Sequence, residues 1–563
     1  MSAPFSLRVT LTLDTLTPNM RARETRARCL TCQDCWTDHT PMNNHVAAAA
    51  IEARAALARG QQHAQHYNTL AWEAALAGDM AQASDLFEQA LRLDPHDAEA
   101  LIGLAGIARA AGRLSAAVQL CDRAIAAHPQ YPEAWLERAL VMHAGGAIPA
   151  ARECYLQVVA LVPDSAAAHA GLAAIAARDG DAAAGLRHGQ AALRTDPDNA
   201  IAAAALAVLA LEAGDPAAAR GLVEPRAARR TAPDAERIQL RSVLGDACDK
   251  LGDPAAAYAA YAQSKADFAA LYAPQFAGRP PHRDWLTAIA AALPALNPQH
   301  WPAPGPVPAA AAARHLFVLG YPRSGNTLLE NVLASLPGVA ALEERATLHA
   351  ADIDFLAEPA AGLPQLQALT EASAQAYREA YWRIVTDAGV PGAAHCFVDM
   401  DPLKGSRLAL IARLFPQAKV LLLRRDPRDV VWSCFRTSFA LTNAAMDFVT
   451  LERTAQHYAA MMALIEQACA VLPLNVHAVS YEGLVRDFDT ETQALCGFAG
   501  LDWSPQLRQF DRTAQRRGVA TASASQVRKG LYDGSGQWMP YAQYLAPVMP
   551  ILAPWIERLG YPA

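Results

Sequence analysis

The 563-residue sequence contains no run of 18 or more strongly apolar residues, so it offers no membrane-spanning helix. Neither sign of charge dominates. With a net charge of −7 and 18% charged residues, nothing marks nucleic acid as a bulk electrostatic partner. Ten cysteines are too few for a disulfide scaffold. The N-terminus lacks the basic start and unbroken apolar centre of a secretory signal, and Asp14 interrupts it. A cytoplasmic location is the expectation. A single core of about 150 residues would leave most of the chain unplaced, so several units or a repeat array are required.

Cys29, Cys32 and Cys35 form a CxxCxxC that is half of a zinc pattern, with His39 or His45 available as a fourth ligand. The competing interpretation, taken here, is that residues 1–45 are a disordered leader without metal, with Met42 as an alternative start. From about residue 64 the chain repeats. Gly78, Gly112, Gly146, Gly180 and Gly214 follow one another at intervals of 34, as do Pro95, Pro129, Pro163 and Pro197. Ala71, Ala105, Ala139 and Ala173 keep the same spacing, as do Ala83, Ala117 and Ala151. Each unit predicts a helix, a turn at the glycine where a positive φ is needed, a second helix, and a proline break. This period resembles the tetratricopeptide repeat, which implies an all-α solenoid with a concave face for a peptide or protein partner. The repeat domain is expected over 46–292, with a degenerate pair at about 236–272, where Gly214 to Gly252 is 38 residues instead of 34.

Residues 293–313 are Pro-rich and read as a linker. Beyond it the pattern changes. Leu316–Leu319 is a short apolar run, as in a buried parallel strand. Tyr321-Pro322-Arg323-Ser324-Gly325-Asn326-Thr327 follows, and then Leu328, Leu329, Val332 and Leu333 at helical spacing. A strand, a compact loop and a helix start turn backbone N–H groups towards an anion. No Lys-Ser/Thr follows Gly325, so the nucleoside triphosphatase loop does not fit.

The loop resembles the P-[KR]-S-G-[TN]-T segment of sulfotransferases, which holds the 5′-phosphosulfate of 3′-phosphoadenosine 5′-phosphosulfate (PAPS). The resemblance extends to three further segments in family order. Val420–Leu423 leads into Arg424-Arg425-Asp426-Pro427, and the family's 3′-phosphate pair falls on Arg425 and Ser433; Arg424, Arg428 and Asp429 read as ordinary surface pairing. Val479-Ser480-Tyr481-Glu482 places Tyr481 near the nucleotide. Thr521–Trp538 is similar to the C-terminal loop of the tyrosylprotein branch, giving Ser523 the family's transition-state serine role and making Gln526, Val527, Arg528 and Lys529 cofactor contacts. That loop ends Gln537-Trp538 where relatives carry Lys/Arg-Trp. The resemblance implies an α/β, P-loop-like domain with a central parallel sheet over 314–563. It also implies PAPS as donor and no requirement for metal.

Transfer needs a base for the acceptor hydroxyl and cations for the departing phosphate. The family's catalytic glutamate, 21 residues after the loop arginine, falls on Glu344, with Glu343 beside it. The family lysine of the D-K-x-P segment is replaced by Met400, and Lys404 is the substitute expected to share catalysis with Glu344, Arg323 and Ser523. Three functions follow from these readings. The first is a PAPS-dependent sulfotransferase with a hydroxyl acceptor: a protein tyrosine, a saccharide or a small molecule. The second is a phosphoryl-transfer enzyme, which lacks its expected loop lysine and magnesium aspartate. The third is a nucleotide-binding repeat scaffold with impaired catalysis, which Met400 and Gln537 favour. A basic acceptor groove would indicate acidic peptides, but the net charge does not require one.

Overall fold

The computed structural model describes residues 40–229, 233–301, 311–391, 394–517 and 524–562. The Cys29–Cys35 cluster and Ser523 lie outside the described residues. The chain divides into two compact units, 1–243 and 244–563.

The first unit is a helical solenoid. Its helices pair within each repeat, as in Ala64–Leu76 with Met80–Leu93 and Ala166–Asp179 with Ala182–Thr195. Gly78, Gly112, Gly146, Gly180 and Gly214 all take positive φ, from 71° to 83°. That backbone reverses the chain between helices, and glycine adopts it without a Cβ clash. After three of these glycines the next helix is capped by a side chain: Asp79, Asp181 and Asp215 accept from the amides of Gln82, Ala184 and Ala218; Asn199 does the same for Ala202 at a junction between repeats. Close packing relies on small residues. A Cβ at Gly103 would meet the Phe87 ring at 2.4 Å, and one at Gly171 would meet the Tyr155 ring at 2.4 Å.

The second unit begins with helices α1 (Pro254–Tyr272) and α2 (His282–Ala292). The expected domain border at 293–313 therefore differs from the compact division at 243/244. The reason is packing: Tyr261, Leu286, Ile289 and Leu293 are buried in one cluster with Phe317, Leu319 and Trp432 of the sheet domain. Strands β1 (Arg314–Leu319), β2 (Val339–Glu343), β3 (Cys396–Met400), β4 (Lys419–Arg424) and β5 (Asn475–Ser480) form an all-parallel sheet in the order β2-β3-β1-β4-β5. Alternate residues face opposite sides. Phe317, Leu319, Phe397, Val420 and Leu422 enter one core, and Leu316, Val318, Val398, Met400, Leu421 and Leu423 enter the other. Burial on both faces explains the unbroken apolar runs. Helices α3 (Asn326–Leu333), α4 (Pro427–Arg436) and α5 (Leu451–Val471) follow β1 and β4 in the chain. Strand β1 lies between β3 and β4, so the loop after it occupies the switch point where open α/β sheets bind ligands. No helix among the described residues is long and apolar enough to cross a membrane.

Candidate functional site

The loop after β1 is held from inside. The Tyr321 carbonyl accepts from the Ser324 amide at 3.1 Å and from Asn326 Nδ2 at 2.9 Å. The Asn326 side-chain amide ties the loop to itself. Gly320 and Gly325 allow the close fit. A Cβ at Gly320 would lie 2.7 Å from Asn326 Oδ1, and one at Gly325, where φ is 104°, would lie 2.7 Å from the Tyr481 ring. Ser324 and Thr327 are buried at the start of α3.

Arg323 sits at φ 69°, strained for a residue with a Cβ. Its Nε donates to Ser433 Oγ at 3.1 Å and its Nη2 to Gln526 Oε1 at 3.3 Å. Burial, reinforced by Arg436 and Arg425 and opposed by Cys434, lowers its pKa to about 10, so it stays cationic at neutral pH. Arg425 donates through Nη1 to the Arg323 carbonyl at 2.8 Å and through Nη2 to the Gly534 carbonyl at 2.5 Å. Its guanidinium carbon lies 4.5 Å from the centre of the Tyr481 ring. The Tyr481 hydroxyl donates to Tyr532 O at 2.9 Å and accepts from Gly534 N at 3.1 Å. The structure thus brings together Arg323, Ser433, Arg425, Tyr481 and Gln526, which four separate sequence segments supplied.

Other expected contacts fall elsewhere. Val527 is buried in the apolar core on the α3 side of the sheet, so its side chain is committed to packing. The Arg528 carbonyl accepts from Gln515 Nε2 at 3.3 Å, and Lys529 is exposed. Arg428 and Asp429 are not surface pairs. Arg428 is buried against Asp426 and lies 4.3 Å from the Trp538 ring centre. Asp429 accepts from the amides of Gly536 at 2.8 Å and Trp538 at 3.0 Å, holding the last segment of the site. The cation missing at Gln537 has a counterpart from α4. Arg436 Nη2 donates to Gln537 Oε1 at 2.9 Å while its Nη1 pairs with Asp249 at 3.2 Å. Its long-range partners left no local signal in the sequence.

Glu344 follows β2 with φ 45°, its amide donating to the Met400 carbonyl at 2.7 Å. Partial removal of the carboxyl from water, then Asp401 and Glu343, raise its pKa to about 7, against the pull of Arg323 and Lys404. Glu330 on α3 is fully buried, accepts from Arg517 at 2.7 Å, and is likewise raised to about 7, first by burial. Sequence reading gave no sign of Glu330. Met400, in the family lysine position, is fully buried in the apolar core. Lys404 is 2% exposed; its ammonium pairs with Asp399 and donates to the Arg345 carbonyl at 2.9 Å. Asp399 also accepts from Thr347 Oγ1 at 2.8 Å and from the Tyr381 hydroxyl at 2.7 Å. Lys404 is therefore a member of a buried network that reaches Glu344 only through its field.

Comparison with known proteins agrees with this architecture. Residues 315–505 match the sulfotransferase family model, and residues 68–132 and 108–175 match tetratricopeptide repeat models. An uncharacterized protein of Aquifex aeolicus is 30% identical over 44% of this chain and 33% of its own length. Protein-tyrosine sulfotransferase A of Caenorhabditis elegans is 23% identical over 44% of this chain and 67% of its own. Protein-tyrosine sulfotransferase 2 of Gallus gallus is 25% identical over 44% and 69%. The chain thus spans a third of the length of the Aquifex protein and about two thirds of each tyrosine sulfotransferase. With the sheet order, the loop at the switch point and the repeats in place, the chain joins tetratricopeptide repeats to a sulfotransferase-family domain.

Proposed function

We propose that the second unit transfers a sulfuryl group from PAPS to a hydroxyl acceptor. One observation carries this reading. Among the described residues, Arg323 and Glu344 are the two non-glycine positions with positive φ. Such strain persists where the surrounding structure imposes it, and it concentrates at functional sites. The two lie close enough for Arg323 to oppose the rise in the Glu344 pKa.

In this mechanism the Glu344 carboxylate takes the acceptor's hydroxyl proton as the oxygen attacks sulfur in line. The bond from sulfur to the bridging phosphate oxygen breaks, giving a sulfate ester and 3′-phosphoadenosine 5′-phosphate (PAP). Arg323 and the loop amides neutralise the departing phosphate. Arg425 and Ser433 hold the 3′-phosphate, for which a planar guanidinium is suited. Ser523 would contribute to the transition state, and Lys404 would tune Glu344 from below. A pKa of about 7 suits a base working at neutral pH. A protein tyrosine is the acceptor favoured by the tyrosine sulfotransferase relatives, with the repeat array holding the protein that carries it. Calorimetric titration with PAP tests the donor: no binding by the intact protein would sink the proposal. Labelled PAPS with a lysate, comparing wild type with Glu344→Ala, tests the base.

A scaffold that binds the nucleotide without turnover is the second reading. It is favoured by Met400 buried in the core and by Lys404 engaged with Asp399. PAP binding without label transfer would support it.

A further inference from the structure

Three side chains outside the donor and acceptor residues form one hydrogen-bonded row. The Tyr321 hydroxyl lies 2.7 Å from His457 Nδ1, and His457 Nε2 lies 2.8 Å from His282 Nδ1. Tyr321 is 1% exposed and His457 0%. The row crosses three elements: the loop after β1, helix α5 and the start of α2. Burial lowers the pKa of both histidines to about 3, with each adjacent positive group pushing the same way, so both rings are neutral at physiological pH. A neutral imidazole has one N–H, so His457 donates at one nitrogen and accepts at the other. All hydrogen bonds in the row therefore run in one sense, and the phenol and both rings are fixed in orientation.

Each end of the row is anchored. Helix α2 is pinned beside His282: the Arg283 amide donates to Asp447 at 3.0 Å, and Trp285 Nε1 donates to the Leu356 carbonyl at 2.6 Å. At the other end, the Tyr321 carbonyl is the acceptor on which the Ser324 amide and the Asn326 side chain close the loop. Fixing the phenol therefore fixes the peptide that shapes the loop next to Arg323. Phenylalanine and leucine would fill the same space without burying three polar groups, and such groups in a core specify geometry more than they add stability.

Resting on the donor site argued above, we propose that Tyr321, His457 and His282 are positioning residues that hold the loop amides and Arg323 in their anion-binding arrangement. None of them touches the reacting atoms. His282 comes from α2, which lies within the expected bounds of the repeat domain, so the loop after β1 is set partly by a residue before the Pro-rich segment.

The test uses the full chain and titrates PAP into four proteins, with a melting temperature for each. Tyr321→Phe removes the hydroxyl. His457→Gln reaches the Nε2 position and keeps His282 while losing Tyr321. His457→Asn reaches the Nδ1 position and keeps Tyr321 while losing His282. Loss of one buried hydrogen bond at the loop is expected to raise Kd about tenfold in Tyr321→Phe and His457→Gln. His457→Asn is expected to stay within about threefold of wild type. Wild-type affinity in Tyr321→Phe, or affinities that merely follow melting temperature across the set, would overturn the positioning role. Absence of PAP binding by the wild type would instead remove the donor reading, and this inference with it.

Discussion

The repeat array and the sheet domain solve the same packing problem with opposite materials. Within 1–243 every described residue at positive φ is a glycine, and the buried acidic, basic and histidine side chains among the described residues are Glu137, His169 and Arg237. Glu137 is met by Arg109 at 2.7 Å. Within 244–563 positive φ reaches Arg323 and Glu344, and Lys404, Asp399, Glu330, Arg425, Arg428 and Asp429 are all buried. The array is locally unstrained because each repeat needs only to cover its neighbour. The sheet domain accepts strain and buried charge where its chemistry is proposed to occur.

The most severe way to break this contrast is to unbalance a buried pair. Lys404→Met leaves Asp399 charged and unpaired in a fully buried site. The expected cost is about 3–5 kcal/mol, read by urea denaturation of the second transition. A loss below about 1 kcal/mol would mean that Asp399 takes up a proton or a water cheaply. Glu344→Gln comes next. It removes the proposed base while keeping the shape, so transfer should fall at least about 100-fold. PAP affinity should stay within about threefold, because Glu344 is proposed to act on the acceptor hydroxyl and not on the nucleotide. An unchanged rate would move the base role to another carboxylate, with Asp401 first in line.

How much of this was legible follows from the range of the interactions. The repeat glycines act within one turn, so their spacing announced them. The strand–loop–helix unit was legible for the same reason: it is contiguous over 314–333. Arg425, Ser433 and Tyr481 were readable because each sits at the end of a strand or on the first turns after it. Other parts were hidden by distance. Tyr321 and His457 are 136 positions apart, His457 and His282 are 175 apart, and Arg436 and Gln537 are 101 apart. The compact division at 243/244 falls inside the expected repeat domain because α1, which keeps the array's sequence grammar, and α2 bury Tyr261 and Leu286 in the sheet domain's core. Arg428 and Asp429 looked like surface charges because the groups that cover them, Trp538 over Arg428 and the Gly536 amide on Asp429, lie more than a hundred residues on, while the local Arg428–Asp426 pair gives no sign of burial.

The array can be tested by adding material where the sheet domain was tested by removing charge. Gly171→Val places a branched side chain where even a Cβ would lie 2.4 Å from the Tyr155 ring. Tyr155 is buried, so it cannot step aside without displacing its neighbours. Overpacking of this kind costs about 1–3 kcal/mol. Gly221→Ala, at a helical glycine with nothing within 4 Å of its Cβ position, is the control and should be neutral or slightly stabilising. Equal behaviour of the two variants in thermal denaturation would mean the array's core is loose rather than interlocked.

The smallest effect is a crossing of pH and stability at Glu344. Its folded pKa of about 7 lies above the ordinary value of 4.5, so between these values the folded state holds the proton more tightly than the unfolded chain. Stability therefore falls as pH rises through this window, because ionisation costs more in the folded protein. Glu344→Gln cannot ionise and escapes that loss. The variant should melt higher than wild type at pH 8 and near wild type at pH 4. Since the residue is exposed at its edge, solvent screening limits the gain to a few degrees at most. Asp401→Asn should shift the wild-type inflection downward, since Asp401 is the first charge raising Glu344. Transfer activity runs the other way, rising about tenfold per pH unit below 7 as the carboxylate forms and levelling above it. Activity and stability that depend in opposite senses on one proton are expected where a proposed base is partly withdrawn from water beside other carboxylates. In the array Glu137 is also raised by burial, but it is paired with Arg109 and lies outside the proposed chemistry, so its proton can move stability without moving transfer.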